Sequence, residues 1–337
     1  MYCSRGAKEQ KDSGEILLLL ISLVVLQIVD LKGSFLYERP FLCTLGAMDN
    51  HVLKITEENL SAVSCDDVLK GLDAFWAQRE EDNIVLDLSE LGFVDPFGMA
   101  MLCLIGRHLS TKYWDITCRL PADADIESYL TRMKVFEALK SYVTVERAPQ
   151  IGRPPVLNES LLEVMPIEQH ADIEQILGMI EARVVSILSE ELHYTVREIT
   201  GFKNVVAELC HNILDHSGDT GFVVAQRYIN HKLGKKFAIV GVCDLGMGIR
   251  ESLSVRHDVS RWSHGQAIKM AVQKEFSRGD TRGLGLYIVR QICQENGGSL
   301  HIRSGDERVY IRGDRTWIHP SGMFPGTQVS ITLYEKD

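Results

Sequence analysis

The sequence predicts an α/β chain of two domains, on three observations. The chain has 337 residues, and domains commonly run to roughly 100–200 residues, which leaves room for two. Strand-like and helix-like apolar patterns alternate through both halves, as they do where helices pack on sheets. Between the halves, Pro149, Pro154, Pro155 and Pro166, four of the nine prolines, fall in one stretch. Proline removes a backbone donor and restricts the residue before it, so this stretch reads as a linker. The expected organisation is an apolar N-terminal segment over 1–47, a first domain over 48–147, a linker over 148–166 and a second domain over 167–337.

Composition narrows the function classes. Hydrophobic residues make up 45% and charged residues 24%, which excludes a largely disordered chain. The formal net charge is -10. Nucleic acid and anionic membrane surfaces demand a basic face, so neither is expected as the main partner, although a local basic pocket is compatible with this balance. The eight cysteines are scattered without a Cys-x-x-Cys pair, which favours reduced thiols in a cytoplasmic setting over a disulfide framework or zinc site. Ile16 to Val29 reads ILLLLISLVVLQIV, short of the about 20 apolar residues a spanning helix needs. A short membrane anchor, a buried or interfacial helix and an extension outside the functional unit all fit that run.

In the first domain, His51–Ile55 is a short strand candidate, and Val68, Leu69, Leu72, Phe75 and Trp76 follow at helical spacing. Ile84–Leu88 reads as a buried strand. Asp95 suits a helix N-cap and Pro96 the first helical position, where its missing N–H costs nothing. The helix then carries Gly98, Met101, Leu102 and Ile105. A strand at Asp115–Arg119 and a helix over Asp125–Leu139 complete a small α/β sandwich. The run NIVLDLSELGFVDPFGMAMLCLIGRHL resembles the central strand–loop–helix of STAS domains, the fold of anti-sigma-factor antagonists. That resemblance implies a protein-binding or intramolecular regulatory module. In the phosphorylatable members a serine or threonine follows the loop aspartate; here that position is Pro96, so the family's phosphoswitch has no hydroxyl to use.

The second domain opens with an amphipathic helix over Ile167–Leu192. In the following helix, Val196 to His216, the residues Val205, Leu209 and Ile213 form an apolar stripe. Glu208 and Asn212 lie one turn apart on the polar side, with Asp215 close by. Phe222–Ile229 and Lys236–Cys243 read as a hairpin around Gly234. The second strand leaves into Asp244-Leu245-Gly246-Met247-Gly248, where an acidic side chain faces a turn whose glycines permit close approach of a ligand. Downstream, Arg282-Gly283-Leu284-Gly285 precedes the helix YIVRQICQ, ended by Asn296-Gly297-Gly298. Free N–H groups and the positive end of a helix dipole make such a start a phosphate site. Pro325-Gly326-Thr327 then opens the strand QVSITLY. Neither the Rossmann fingerprint nor Walker A fits.

The ordered set, Glu-x3-Asn, Asp-x-Gly-x-Gly, Gly-Leu-Gly-Leu and Gly-Thr, resembles the GHKL ATPase domain. That family joins histidine kinases, anti-sigma serine kinases, gyrase B-type ATPases, Hsp90 and MutL on a Bergerat-type α/β sandwich. The resemblance covers roughly Ile167 to Asp337 and implies ATP and Mg²⁺ as cofactors. It assigns Asn212 to the Mg²⁺ that bridges the phosphates and Glu208 to the catalytic position. Asp244 would accept from the adenine amine, with Gly246 and Gly248 beneath the base. Gly283, Leu284 and Gly285 would present N–H groups to phosphate, with Arg278 and Arg282 as basic contacts in a lid over 250–282, and Thr327 would support Asp244. His170 and His193 lack the acceptor context of a histidine kinase. The favoured reading is an ATP-binding signalling regulator of anti-sigma, serine/threonine-kinase type with a fused STAS-like module, whose partner is a STAS-type or anti-sigma network protein. The alternatives are a non-catalytic ATP sensor, a histidine kinase with an atypical acceptor, and a GHKL ATPase that closes as a homodimer.

Overall fold

The computed structural model describes residues 51–77, 83–152, 162–216, 219–230, 234–274 and 285–336. The apolar run 16–29 lies outside them, as do Arg278, Arg282, Gly283 and Leu284. No helix among the described residues is long and apolar enough to cross a membrane.

The N-terminal unit contains β1 (Val52–Lys54), β2 (Asn59–Leu60), α1 (Cys65–Ala77), β3 (Asn83–Asp87), β4 (Phe93–Val94), α2 (Pro96–Ser110), β5 (Asp115–Arg119), α3 (Ala124–Arg132), α4 (Val135–Leu139) and β6 (Thr144–Val145). Its sheet runs β1-β3-β5-β6, parallel throughout, with β2 and β4 as a separate parallel pair. The helix expected over 125–139 is two helices, because Lys134 adopts φ 61 and breaks the run. Asp95 caps α2, its carboxylate accepting from the Gly98 N–H at 2.8 Å, with Pro96 at the helix start. Every residue of α2 from Pro96 to Gly106 is buried. A helix apolar all round must be covered all round, and the second sheet supplies the other cover.

That sheet has the order β10-β11-β9-β8-β7 and is antiparallel. Its strands are β7 (Leu162–Ile167), β8 (Gly221–Asn230), β9 (Lys235–Asp244), β10 (Ser299–Arg312) and β11 (Arg315–Tyr334). The strand β7 begins inside the stretch expected to be linker and contains Pro166. Proline is admitted because β7 is an edge strand, where one side needs no donor. The helix expected over 167–192 accordingly starts later, as α5 (His170–Met179), and continues through two π-helical segments to Glu191. Three further helices, α6 (Val196–His216), α7 (Gly248–Ser254) and α8 (His264–Ala271), precede α9 (Gly285–Glu295). The last two strands outrun the expected QVSITLY. After pairing Ser299 with Thr332 through Ser304 with Thr327, they bulge at Gly305 and pair again from Glu307 with Pro320 to Arg312 with Arg315.

Alternation assigns the two faces of this sheet. Val223, Ala225 and Val242 join the core built with α5, α6 and α9. Phe222, Val224, Cys243 and Phe324 join the core of the N-terminal unit instead. The sheet is thus buried on both sides, with α2 laid across β8 and β9. The helix α2 meets the backbone of β9 at Gly241, where a Cβ would meet the Phe97 Cα and the Pro96 carbonyl oxygen at 2.9 Å each. Both obstacles are backbone, so a side chain at 241 must push the units apart. Gly241→Ala is expected to cost about 1–3 kcal/mol of overpacking, read by urea denaturation of the full chain. Parent-like stability would contradict this contact.

Candidate functional site

The site grows from one end of the large sheet. The strand β9 ends at Asp244, which pairs with Gly221 at the start of β8. One Asp244 carboxylate oxygen, Oδ1, accepts from the Gly246 N–H at 2.7 Å and the Thr327 N–H at 3.2 Å. Both of these bonds fall on Oδ1. Burial pushes the Asp244 carboxyl up to about 6, against the lowering pull of those two donors. Such a carboxylate is poised for a donor that would complete its hydrogen bonding.

Two glycines make the turn fit. Gly326 has φ +83, and a Cβ there would lie 2.0 Å from the Asp244 carbonyl oxygen. Gly248 has φ +78, and a Cβ there would lie 2.8 Å from Ser304 Oγ. The Ser304 hydroxyl ties the two turns together: it donates to the Gly326 carbonyl at 2.9 Å and accepts from the Ile249 N–H at 2.9 Å. Pro325-Gly326-Thr327 therefore does not open a strand. It lies within β11, at the bulged part of the ladder where the chain bends toward Asp244. Thr327 reaches Asp244 through its backbone N–H.

The helices bring the remaining residues to the same end. Ile213, next to Asn212 on α6, packs on Gly221, where a Cβ would meet Ile213 Cδ1 at 2.6 Å. Asn212 thus sits one residue from the contact that anchors α6 beside the partner of Asp244. One turn earlier, Glu208 lies against the start of α9, where a Cβ on Gly285 would meet Glu208 Cδ at 3.1 Å and Cγ at 3.3 Å. Glu208 and Asn212 are both half-buried. Gly246 donates within the Asp244 turn, and Gly248 opens α7. The segment expected to be a lid over 250–282 contains α7 and α8. Its polar sequence hides both helices, α8 being fixed by a Ser263–Gln266 capping box.

Sequence reasoning missed Ser304, Arg303 and Gln328. Gln328 is fully buried, and its Nε2 donates to the carbonyl oxygens of Asp244 and Pro325, each at 2.8 Å. Nothing in a polar residue two places after Gly326 marks it in advance as a brace for a distant turn.

The raised Asp244 carboxyl gives a signed pH dependence. Its folded value of about 6 exceeds the ordinary aspartate value of about 3.9. Its contribution is therefore present below about pH 4 and lost as pH rises through about 6. Asp244→Asn keeps an oxygen for Gly246 and Thr327 but carries no charge. It is expected to stabilise the ligand-free protein on the order of 1–3 kcal/mol at pH 8, and little at about pH 3.5. Equal effects at both pH values in thermal melts would contradict the buried charge.

No curated protein matches this chain. The strand β7 and helix α5 precede the segment that matches a known family, so the sheet extends one edge strand beyond it. Residues 198–336 match the histidine kinase-, DNA gyrase B- and HSP90-like ATPase family, and the C-terminal part of this chain is an ATPase-type domain of that family, which implies ATP binding, typically with Mg²⁺.

Proposed function

We propose that the protein is an ATP-binding signalling regulator of anti-sigma, serine/threonine-kinase type, in which the N-terminal unit is a STAS-like regulatory module fused to the ATP domain. The observation that carries the nucleotide reading is the Asp244 carboxylate, held by Gly246 and Thr327 through one oxygen and offering the other. An acceptor there selects adenine, whose exocyclic amine donates, over guanine, which carries an oxygen at that edge. The residues present fit the cofactor. Gly248 and Gly326 let the turns at Asp244 and Ser304 pack against each other, which holds the Asp244 carboxylate in place. Gly285 begins α9, a helix start suited to phosphate. Mg²⁺ bound with a nucleotide takes most of its ligands from phosphate and water, so the single carboxamide of Asn212 suffices on the protein side. Mg-ATP supplies a transferable phosphoryl group, and the enzyme's share of that chemistry is positioning and charge neutralisation. Glu208 is the side chain set to orient an acceptor or water.

The docked N-terminal unit supports the regulatory half of the reading. Pro96 has no hydroxyl and is buried against the sheet backbone at Gly241, so the module acts as a docked element rather than as phosphoacceptor at that position. A partner protein would then be the substrate or the switched ligand.

Incubation of the full chain with γ-labelled ATP and Mg²⁺ tests this. The reading expects transfer of an acid-stable label to a protein partner. An acid-labile label on the chain itself, or release of free phosphate alone, would replace it with histidine-kinase or ATPase chemistry. Binding without any transfer would leave a nucleotide sensor. Asn212→Ala is expected to abolish the Mg²⁺-dependent part of thermal stabilisation by ATP. Asp244→Asn puts an amide donor opposite the adenine amine and should weaken ATP at least about tenfold, the scale of one lost buried hydrogen bond. Parent-like affinity in calorimetry would remove Asp244 from the site.

A further inference from the structure

A polar chain runs from the N-terminal unit to the candidate adenine turn. It starts at Asp66 on α1, which is buried. Asp66 Oδ2 pairs with the Arg308 guanidinium, also buried, and Oδ1 accepts from the Ser321 hydroxyl at 2.5 Å. Ser321 Oγ in turn accepts from Arg303 Nε at 3.1 Å. Arg303 Nη1 donates to Gln328 Oε1 at 2.9 Å, and Gln328 Nε2 donates to the Asp244 carbonyl at 2.8 Å. Each member has its donor and acceptor roles fixed by its neighbours. The carboxylate can only accept, the guanidinium can only donate, and the Gln328 amide is held in one orientation by Arg303 on its oxygen side.

Burial makes this chain responsive. Arg303 and Arg308 lie between β10–β11 and α1, and Asp66 is the carboxylate bonded to Arg308. Removing one partner of a buried ion pair leaves an uncompensated charge, which the surroundings must move to accommodate. The Gly322 carbonyl accepts from Arg303, and a Cβ on Gly322 would meet the Leu69 backbone at 2.4 Å, so α1 and the arm of β11 are in direct backbone contact there. A shift of α1 is therefore transmitted to Arg303 and, through Gln328, to the backbone of Asp244.

We propose that Asp66, Ser321, Arg303 and Gln328 are positioning residues for the Asp244 turn, so that the seating of α1 against β10 and β11 and binding of the adenine end of a nucleotide are coupled. The inference rests on the nucleotide reading of the Asp244 turn. Coupling is reciprocal: whatever loosens α1 weakens the nucleotide, and nucleotide tightens the docking of α1. A regulator bound to the N-terminal unit would thereby reach the ATP site without touching it.

The test measures ATP, ADP and GTP binding by calorimetry on the full chain, in the parent and in Asp66→Asn, Gln328→Met and Tyr129→Phe. Tyr129 makes a different contact between the units, a hydroxyl pair with Tyr228 at 3.2 Å, and serves as the control for simple loosening. Asp66→Asn is expected to weaken ATP and ADP alike by at least about 5-fold and to narrow the preference for ATP over GTP. Tyr129→Phe should leave both properties at parent values. Gln328→Met leaves the Asp66–Arg308 pair intact and should give the same loss, so the test survives if Asp66→Asn does not fold. Unchanged affinity and base preference in both relay variants would overturn the coupling alone. Equal losses in Tyr129→Phe, or a loss confined to ATP with ADP unaffected, would also overturn it. A parent that binds none of the three nucleotides would overturn the nucleotide reading itself.

Discussion

Burial of β8 and β9 on both faces is the constraint on which the rest of this structure depends. A half-exposed antiparallel strand alternates apolar and polar residues, whereas FVVA and FAIVGVC are apolar at nearly every position. Such strands must be covered twice. The helices α5, α6 and α9 cover one face and α2 the other. The N-terminal unit is thus part of the same packed body as the ATPase-type domain. Gly241 and Gly322 mark two places where backbone meets backbone in that packing.

The same packing fixes the site. Because the sheet is clamped, the ends of β9 and β11 stay in register, and register is what sets Thr327 and Gly326 against Asp244. The buried polar groups at this boundary are paired in sequence from Asp66 to Gln328 rather than left to water. Buried ion pairs add less to stability than their geometry implies, since desolvation offsets the attraction. The pair joins α1 to the arm of β10 and β11, with Asp66 accepting from both Arg308 and Ser321.

Much of the fold was legible in the residues. Asp95 followed by Pro96 announced a capped helix, and the structure places the cap and the helix start there. The hairpin around Gly234 and the end of α9 before Gly297 follow from turn chemistry in the same way. Local rules failed where tertiary contacts overrode them. Pro166 read as linker because proline disfavours strands, but an edge position tolerates it. The strand expected at QVSITLY is only the end of a longer arm of β10 and β11, whose charged residues mark no burial in advance. In that arm Arg303 and Arg308 are instead buried by a helix far away in sequence.

By itself, the sequence singled out the short segments on which the proposed nucleotide reading rests: the Glu208–Asn212 turn of helix, the Asp244 turn, Gly285 and Thr327. Those signals are local, since helix spacing, glycine freedom and capping depend on neighbours a few residues away. Only the tertiary structure decided that Gly285 rests on Glu208, that Ile213 anchors α6 beside the partner of Asp244, and that Gln328 braces that turn. It also decided that the N-terminal unit covers the sheet. Those outcomes depend on which buried surfaces and charges meet across long chain separations, and no spacing rule encodes that meeting.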